Sequence, residues 1–161
     1  MGTSSFKSQN EYESLWAEQL EESHSYYVPE KYQLGILTHF LDQQDIEYVT
    51  EGRIFCYPID ILAINGDSTM AIELKSGKIV RGIEQASRNT DFVDHSFLAV
   101  WEEDIDSDLV EEVSNLSIGL MGIGNSVELI SLPCKTGKQL CSKENVISTV
   151  KNHVRSDSSV Q

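Results

Sequence analysis

Three charged residues stand where a β-strand would ordinarily bury an aliphatic side chain. They are Asp60, Glu73 and Lys75, within YPIDILAINGDSTMAIELKSGK, residues 57–78. A lone carboxylate inside a sheet costs several kcal/mol, so a partner, an ion or solvent must answer it. Side chains alternate along a strand, which puts Glu73 and Lys75 on one face. Asn65-Gly66 between two apolar runs predicts a β-hairpin. A two-residue turn there sets Asp60 opposite Ala71, which shares the face of Glu73 and Lys75, whereas a four-residue loop sets Asp60 directly against Glu73. Either loop gathers the three charges on one face, and only an odd-length loop separates them. The other face reads Ile59, Ile61, Ala63, Met70, Ile72 and Leu74.

Two carboxylates one cross-strand step apart repel each other as ions. A hard divalent cation relieves the repulsion and suits oxygen ligands. A lysine beside them adds positive charge where a phosphate oxygen or an attacking water would sit. Together they make a minimal site for metal-assisted phosphoester hydrolysis, in which the metal polarises the phosphoryl group and lowers the pKa of its water. An ion pair on a half-exposed strand accounts for the same residues without chemistry.

The run "YPID", twelve intervening residues and "ELK" resembles the PD-(D/E)-x-K nuclease motif, with Ile59 inserted between Pro58 and Asp60. The resemblance covers about residues 30–102 and implies a restriction-endonuclease-like α/β (mixed α+β) fold. In that fold a central mixed β-sheet is flanked by helices and the motif lies on a β-hairpin. It implies Asp60 and Glu73 as ligands of Mg²⁺ or Mn²⁺, the Leu74 carbonyl as a further ligand, and Lys75 as the catalytic lysine. Some branches carry Gln-x-x-x-Tyr on the next helix. Here that segment reads QASRN, so Gln85 is a candidate contact to substrate or to the metal's water, and Asn89 replaces the tyrosine. Many members also place a metal-binding glutamate in the first core helix, but YQLGILTHFL has none. Glu51, on the strand before the hairpin, is the preferred substitute, and Glu30, at the helix start, is the other. Lys78, Arg81 and Arg88, with Asn89, are candidate nucleic-acid contacts, although a solvated helix face explains these residues equally well.

The chain of 161 residues suits one domain with a real core. Its net charge of -14 runs against the basic footprint of most nucleic-acid-binding proteins. The acids are localised, however. Residues 1–30 hold six acids and one base, and residues 101–115 hold seven acids and no base. Residues 31–100 hold ten acids and six bases, so a locally basic surface near the motif is compatible with the total. Three cysteines make no disulfide framework, and a reducing cytoplasm is expected. Cys134 and Cys141 lack zinc-knuckle spacing, the four histidines form no local metal pattern, and no phosphate loop or nucleophile motif is present. No apolar run approaches the ~20 residues of a membrane span, and the first residues read as a loose terminus without a secretory core.

The elements that must position the motif follow from periodicity. A helix is expected over 11–23 and another, with Leu34, Leu37, Phe40 and Leu41 on one face, over 30–44. A strand over 46–52, the hairpin, a helix over about 79–95 and a strand over 96–102 come next. A helix over 106–115, two strands around IGLMGIG and SVELISL, and a helix over 143–154 complete the order. The expected division is an N-terminal helical extension, 1–29, a single nuclease-like domain, 30–154, and a disordered tail, 155–161. The function expected is a Mg²⁺-dependent deoxyribonuclease, acting as a homodimer or with a more basic partner protein. The alternative is a nuclease-fold module that binds nucleic acid or protein without cutting. An acidic DNA mimic would explain the charge but not the three residues.

Overall fold

The computed structural model describes residues 28–135 and 142–159, with backbone alone from 153 onward. The helix expected over 11–23 lies outside the described residues. Helix α1 (Glu30–Gln43) starts after Pro29 and buries Tyr32, Leu37 and Leu41. Proline suits this boundary because its missing N–H is not needed there. Strands β1 (Glu47–Ile54), β2 (Tyr57–Asn65) and β3 (Ser68–Lys75) follow, then α2 (Ile79–Asn89) and β4 (His95–Trp101). A 3₁₀ turn (Glu102–Asp104) leads to α3 (Ser107–Asn115), β5 (Gly119–Ile123), β6 (Val127–Ser131) and α4 (Lys143–Ser159).

The six strands form one sheet in sequence order. β1, β2 and β3 are antiparallel, β3–β4 and β4–β5 are parallel across the α2 and α3 connections, and β5–β6 is antiparallel. Among the described residues this is a mixed α+β architecture with four helices around a mixed sheet. One face packs Leu37 and Leu41 of α1 against Ile61, Ile72, Leu74, Phe97 and Met121. The other is covered by α2 and α3 over β3–β5 and by α4 over β1–β2, with Leu62, Ala71, Leu98, Val146 and Val150 inside. Asp94, wholly buried, ties α4 to the hairpin, accepting from the Thr69 N–H at 3.0 Å and from Lys143 at 2.9 Å. Burial alone would raise its pKa, but the Thr69 amide and the Lys143 ammonium outweigh that and hold it below the ordinary carboxylate value. Among the described residues no helix is long and apolar enough to cross a membrane.

Four local expectations are corrected. The hairpin turns at Gly66-Asp67, because Asn65 pairs with Ser68. Gly66 supplies the left-handed φ of +64° that the turn needs. Ile59 leaves the face of Ile61 and packs with Val49, Leu62 and Ile64 on the other. Helix α2 stops at Asn89 rather than near 95. The Thr90, Asp91 and Phe92 N–H groups bond three residues back, and Thr90 Oγ1 donates to the Ser87 carbonyl at 2.6 Å. That tightening ends the helix. Helix α4 runs to Ser159, into the tail expected to be disordered, since no Gly or Pro interrupts 143–159.

Candidate active site

The register Asn65–Ser68 to Ile61–Ile72 fixes what happens next along β2 and β3. Continued, it sets Asp60 against Glu73 and makes Ile59–Leu74 the next hydrogen-bonded pair. The ladder ends at Ile61–Ile72 instead. Asp60 Oδ2 accepts the Leu74 N–H at 2.9 Å, taking the place of a backbone carbonyl. A side chain has thus been inserted where two strands would have zipped, which accounts for Ile59 turning to the other face. In a strand the N–H and C=O of one residue point to the same side, so the Leu74 carbonyl is directed to the same space between β2 and β3.

Glu73 completes the pair. It is 2% exposed, and Asn89 Nδ2 donates to its Oε1 at 2.9 Å. Burial, and then the Asp60 charge, push its pKa up to about 8, against the opposing pull of the Asn89 amide. The two carboxyl groups are close enough to share a hydrogen bond. At neutral pH the pair therefore holds a proton that a divalent cation would displace. The donor set fits a hard cation: two facing carboxylates plus a carbonyl directed between the strands, with Mg²⁺ commonly keeping several waters beside one or two carboxylates. Lys75 lies on the same strand face, and its charge acts on Glu73.

Helix α2 is the lid on this arrangement. Its buried positions are Gly82, Ile83, Ala86 and Asn89. A Cβ added to Gly82 would fall 2.5 Å from Lys75 Cγ, so the glycine lets the helix rest directly on the lysine stem. Gln85 and Arg88 flank the same face. Gln85 Oε1, Asn89 Oδ1 and Arg88 Nε and Nη2 are buried with no hydrogen-bond partner among the described residues. These polar atoms are shielded from solvent, and of the three residues Asn89 is the one that bonds Glu73.

The structure thus brings together Asp60, Glu73, Leu74, Lys75 and Asn89, with Gln85 and Arg88 on the adjoining helix face. It does not bring in Glu51. The pairs Thr50–Ile61 and Gly52–Ile59 bracket Glu51 opposite Asp60, but its left-handed φ of +56° takes it out of the ladder and it is exposed. Among the described residues no group of three or more His, Cys, Asp and Glu side chains could hold a metal. Glu30 instead accepts the Ser76 N–H at 3.4 Å, just beyond the motif. Lys78 and Arg81 are exposed. Arg88 lies with its guanidinium 4.3 Å from the centre of the Tyr57 ring. That ring stacks on Phe92 and Phe92 meets Phe55 edge-on. This aromatic group was not legible in the sequence; its one signal is FCYP, two aromatics within four residues of a polar-flanked turn.

No family model matches the chain, and no curated protein does. Among solved structures the fold is similar to a protein of unknown function from Silicibacter pomeroyi, at 15% identity and a TM-score of 0.61, over 78% of this chain and 85% of that one. At that identity the likeness is one of fold.

Proposed function

We infer that the protein is a metal-dependent phosphodiesterase, with DNA as its substrate. The observation that carries this reading is the insertion of Asp60 between β2 and β3 beside Glu73, with Lys75 on the same face. A half-exposed structural ion pair does not account for a buried Glu73 carboxyl held beside a part-buried Asp60. Asp60 and Glu73 would hold Mg²⁺ or Mn²⁺, with the Leu74 carbonyl as a further ligand, and the bound metal would supply a nucleophilic water and polarise the phosphate. Lys75 would stabilise the charge that grows on the phosphoryl oxygens. Asn89, which bonds Glu73, would orient it, and Gln85 would contact substrate or a metal-bound water.

A restriction-endonuclease-like core fits the order of elements: α1, the antiparallel β1–β2–β3, α2 and the parallel β4. The exposed thiols of Cys56 and Cys134 suit a reducing cytoplasm. The charge of -14 favours substrate delivery by a homodimer or a more basic partner. The same charge, with only two acids at the site, also favours a second reading, a module that binds without cutting. The test is cleavage of single-stranded, duplex and nicked DNA, and of RNA, with Mg²⁺, Mn²⁺ or EDTA. Metal-dependent cutting lost in Asp60→Ala supports the first reading. Binding without cutting in any metal supports the second.

A further inference from the structure

Phe55 is a costly residue in its position. Ile54 pairs with Tyr57, so Phe55 and Cys56 alone make the turn between β1 and β2. Phe55 has a φ of +56° and is 67% exposed. Glycine, asparagine or aspartate would take that conformation with less strain and would put no ring in water. A bulky residue held in the left-handed region marks a place where something other than local stability selects the side chain.

The ring is fixed rather than adrift. It meets Phe92 edge-on at 5.7 Å, Phe92 lies 5.7 Å from Tyr57 at 30°, and Tyr57 carries Arg88 at 4.3 Å. The next residue, Asn89, holds Glu73. A continuous set of contacts therefore runs from the carboxylate pair to Phe55. Beside Phe55 is a cavity of about 130 Å³, lined by Arg53, Ile54, Phe55, Asn145, Val146 and Thr149. Small-molecule sites usually span roughly 300–1,000 Å³, so this one has room for a single planar ring and little more. It is lined by one aromatic residue, two aliphatic ones, the amide-bearing Asn145, Thr149 and Arg53. Arg53 is exposed and in no ion pair among the described residues. An apolar protein segment would not call for an amide and a cation there, whereas a nucleotide uses all three: a ring to stack, edges to hydrogen-bond and a phosphate.

We propose that the Phe55 cavity receives one unpaired nucleobase, with Arg53 on the adjoining phosphate, so that the site acts on single-stranded nucleic acid. This rests on the phosphodiesterase reading. A base inside a duplex is stacked on both faces and cannot enter; an unpaired one can.

The experiment replaces Phe55 with tryptophan, which keeps a stacking ring and adds a fluorophore, and titrates it at low salt with Ca²⁺ as the metal. The probes are a short single-stranded oligothymidylate and a blunt hairpin duplex, with the wild-type signal of Trp16 and Trp101 subtracted. Quenching by the single strand, at least ten times weaker with the duplex, is expected. Arg53→Ala in the same background should weaken binding and lower its salt dependence. Phe55→Asn, which suits the left-handed φ, should weaken binding of a dye-labelled single strand, read by anisotropy against wild type, by about 10- to 100-fold, as loss of one base–aromatic stack does. No quenching, or equal quenching by both probes, overturns the proposal. So does protection of Phe55→Trp fluorescence by an apolar peptide but not by the oligonucleotide. Quenching does not depend on cleavage. If the single strand quenches but nothing is cut in Mg²⁺ or Mn²⁺, the cavity assignment stands and the hydrolase reading fails; if both DNA forms are cut equally without quenching, the reverse holds.

Discussion

The stem of Lys75 runs beneath Gly82, where an added Cβ would lie 2.5 Å from the lysine Cγ and 2.9 Å from Leu98 Cδ1. No other residue type lets α2 rest on β3 and β4 at this distance. Gly82→Ala should therefore lift the helix and displace the lysine together. Overpacking of this kind typically costs about 1–3 kcal/mol, so melting should fall by several degrees. Cleavage should fall further than the lost stability explains, because Lys75 moves with the helix. A variant with wild-type melting temperature and rate would show that the helix approaches the lysine less closely than described.

Metal binding should be coupled to proton release. Burial and the Asp60 charge raise the Glu73 pKa to about 8, so Mn²⁺ must displace a proton at neutral pH. Affinity measured by calorimetry should rise with pH and level off above about 8. It should be lost in Asp60→Ala and in Glu73→Ala. Affinity that is independent of pH, or retained in both variants, would place the metal elsewhere.

Stability of the metal-free protein should show the opposite slope. The Glu73 carboxyl binds its proton more tightly folded than unfolded, where the ordinary value of 4.5 applies. Its contribution is full below that value and is lost as pH rises through about 8. Glu73→Gln keeps an acceptor for Asn89 and removes the titration. Denaturant melts of wild type and Glu73→Gln should diverge as pH rises from 4.5 to about 8, with the variant gaining in relative stability, and hold a constant offset above that. Parallel curves would mean that the carboxyl titrates normally.

Lys75 should be dispensable for folding and for metal binding but not for cutting. Lys75→Ala should keep Mn²⁺ affinity within a few-fold while cleavage drops by ~100-fold or more, the scale on which loss of one preorganised transition-state donor is felt. Lys75→Arg should restore little, because guanidinium is wider and planar and Gly82 leaves no space above the stem. Melting temperature, calorimetry and rate across the three proteins separate these roles. Full activity in a folded Lys75→Ala would remove the lysine from the chemistry.

The parity of Asp60, Glu73 and Lys75 was legible because strand alternation leaves two choices and an even turn selects one. The turn lies one residue later than Asn65-Gly66 predicts, since Gly66-Asp67 offers the same left-handed glycine and only the paired register separates them. The loss of the ladder beyond Ile61–Ile72 had no sequence signal, because it depends on a side chain outcompeting a backbone carbonyl for Leu74. Asn89 was marked only by its spacing from Gln85. Its contact with Glu73 required knowing how α2 crosses β3. Strand proximity points to Glu51, but its left-handed backbone, which a non-glycine sequence does not announce, takes it out of the ladder.

The six strands follow one another across the sheet in chain order, and this bears on how quickly the site can assemble. Asp60 and Glu73 belong to one hairpin, so loop closure alone brings their charges together, before the slower parallel crossovers through α2 and α3 are made. Their repulsion is then felt in the transition state and not only in the finished protein. Lowering the pH or adding Mn²⁺ should accordingly accelerate refolding as well as slow unfolding. The ion proposed to serve hydrolysis would in that case also speed the folding of its own site.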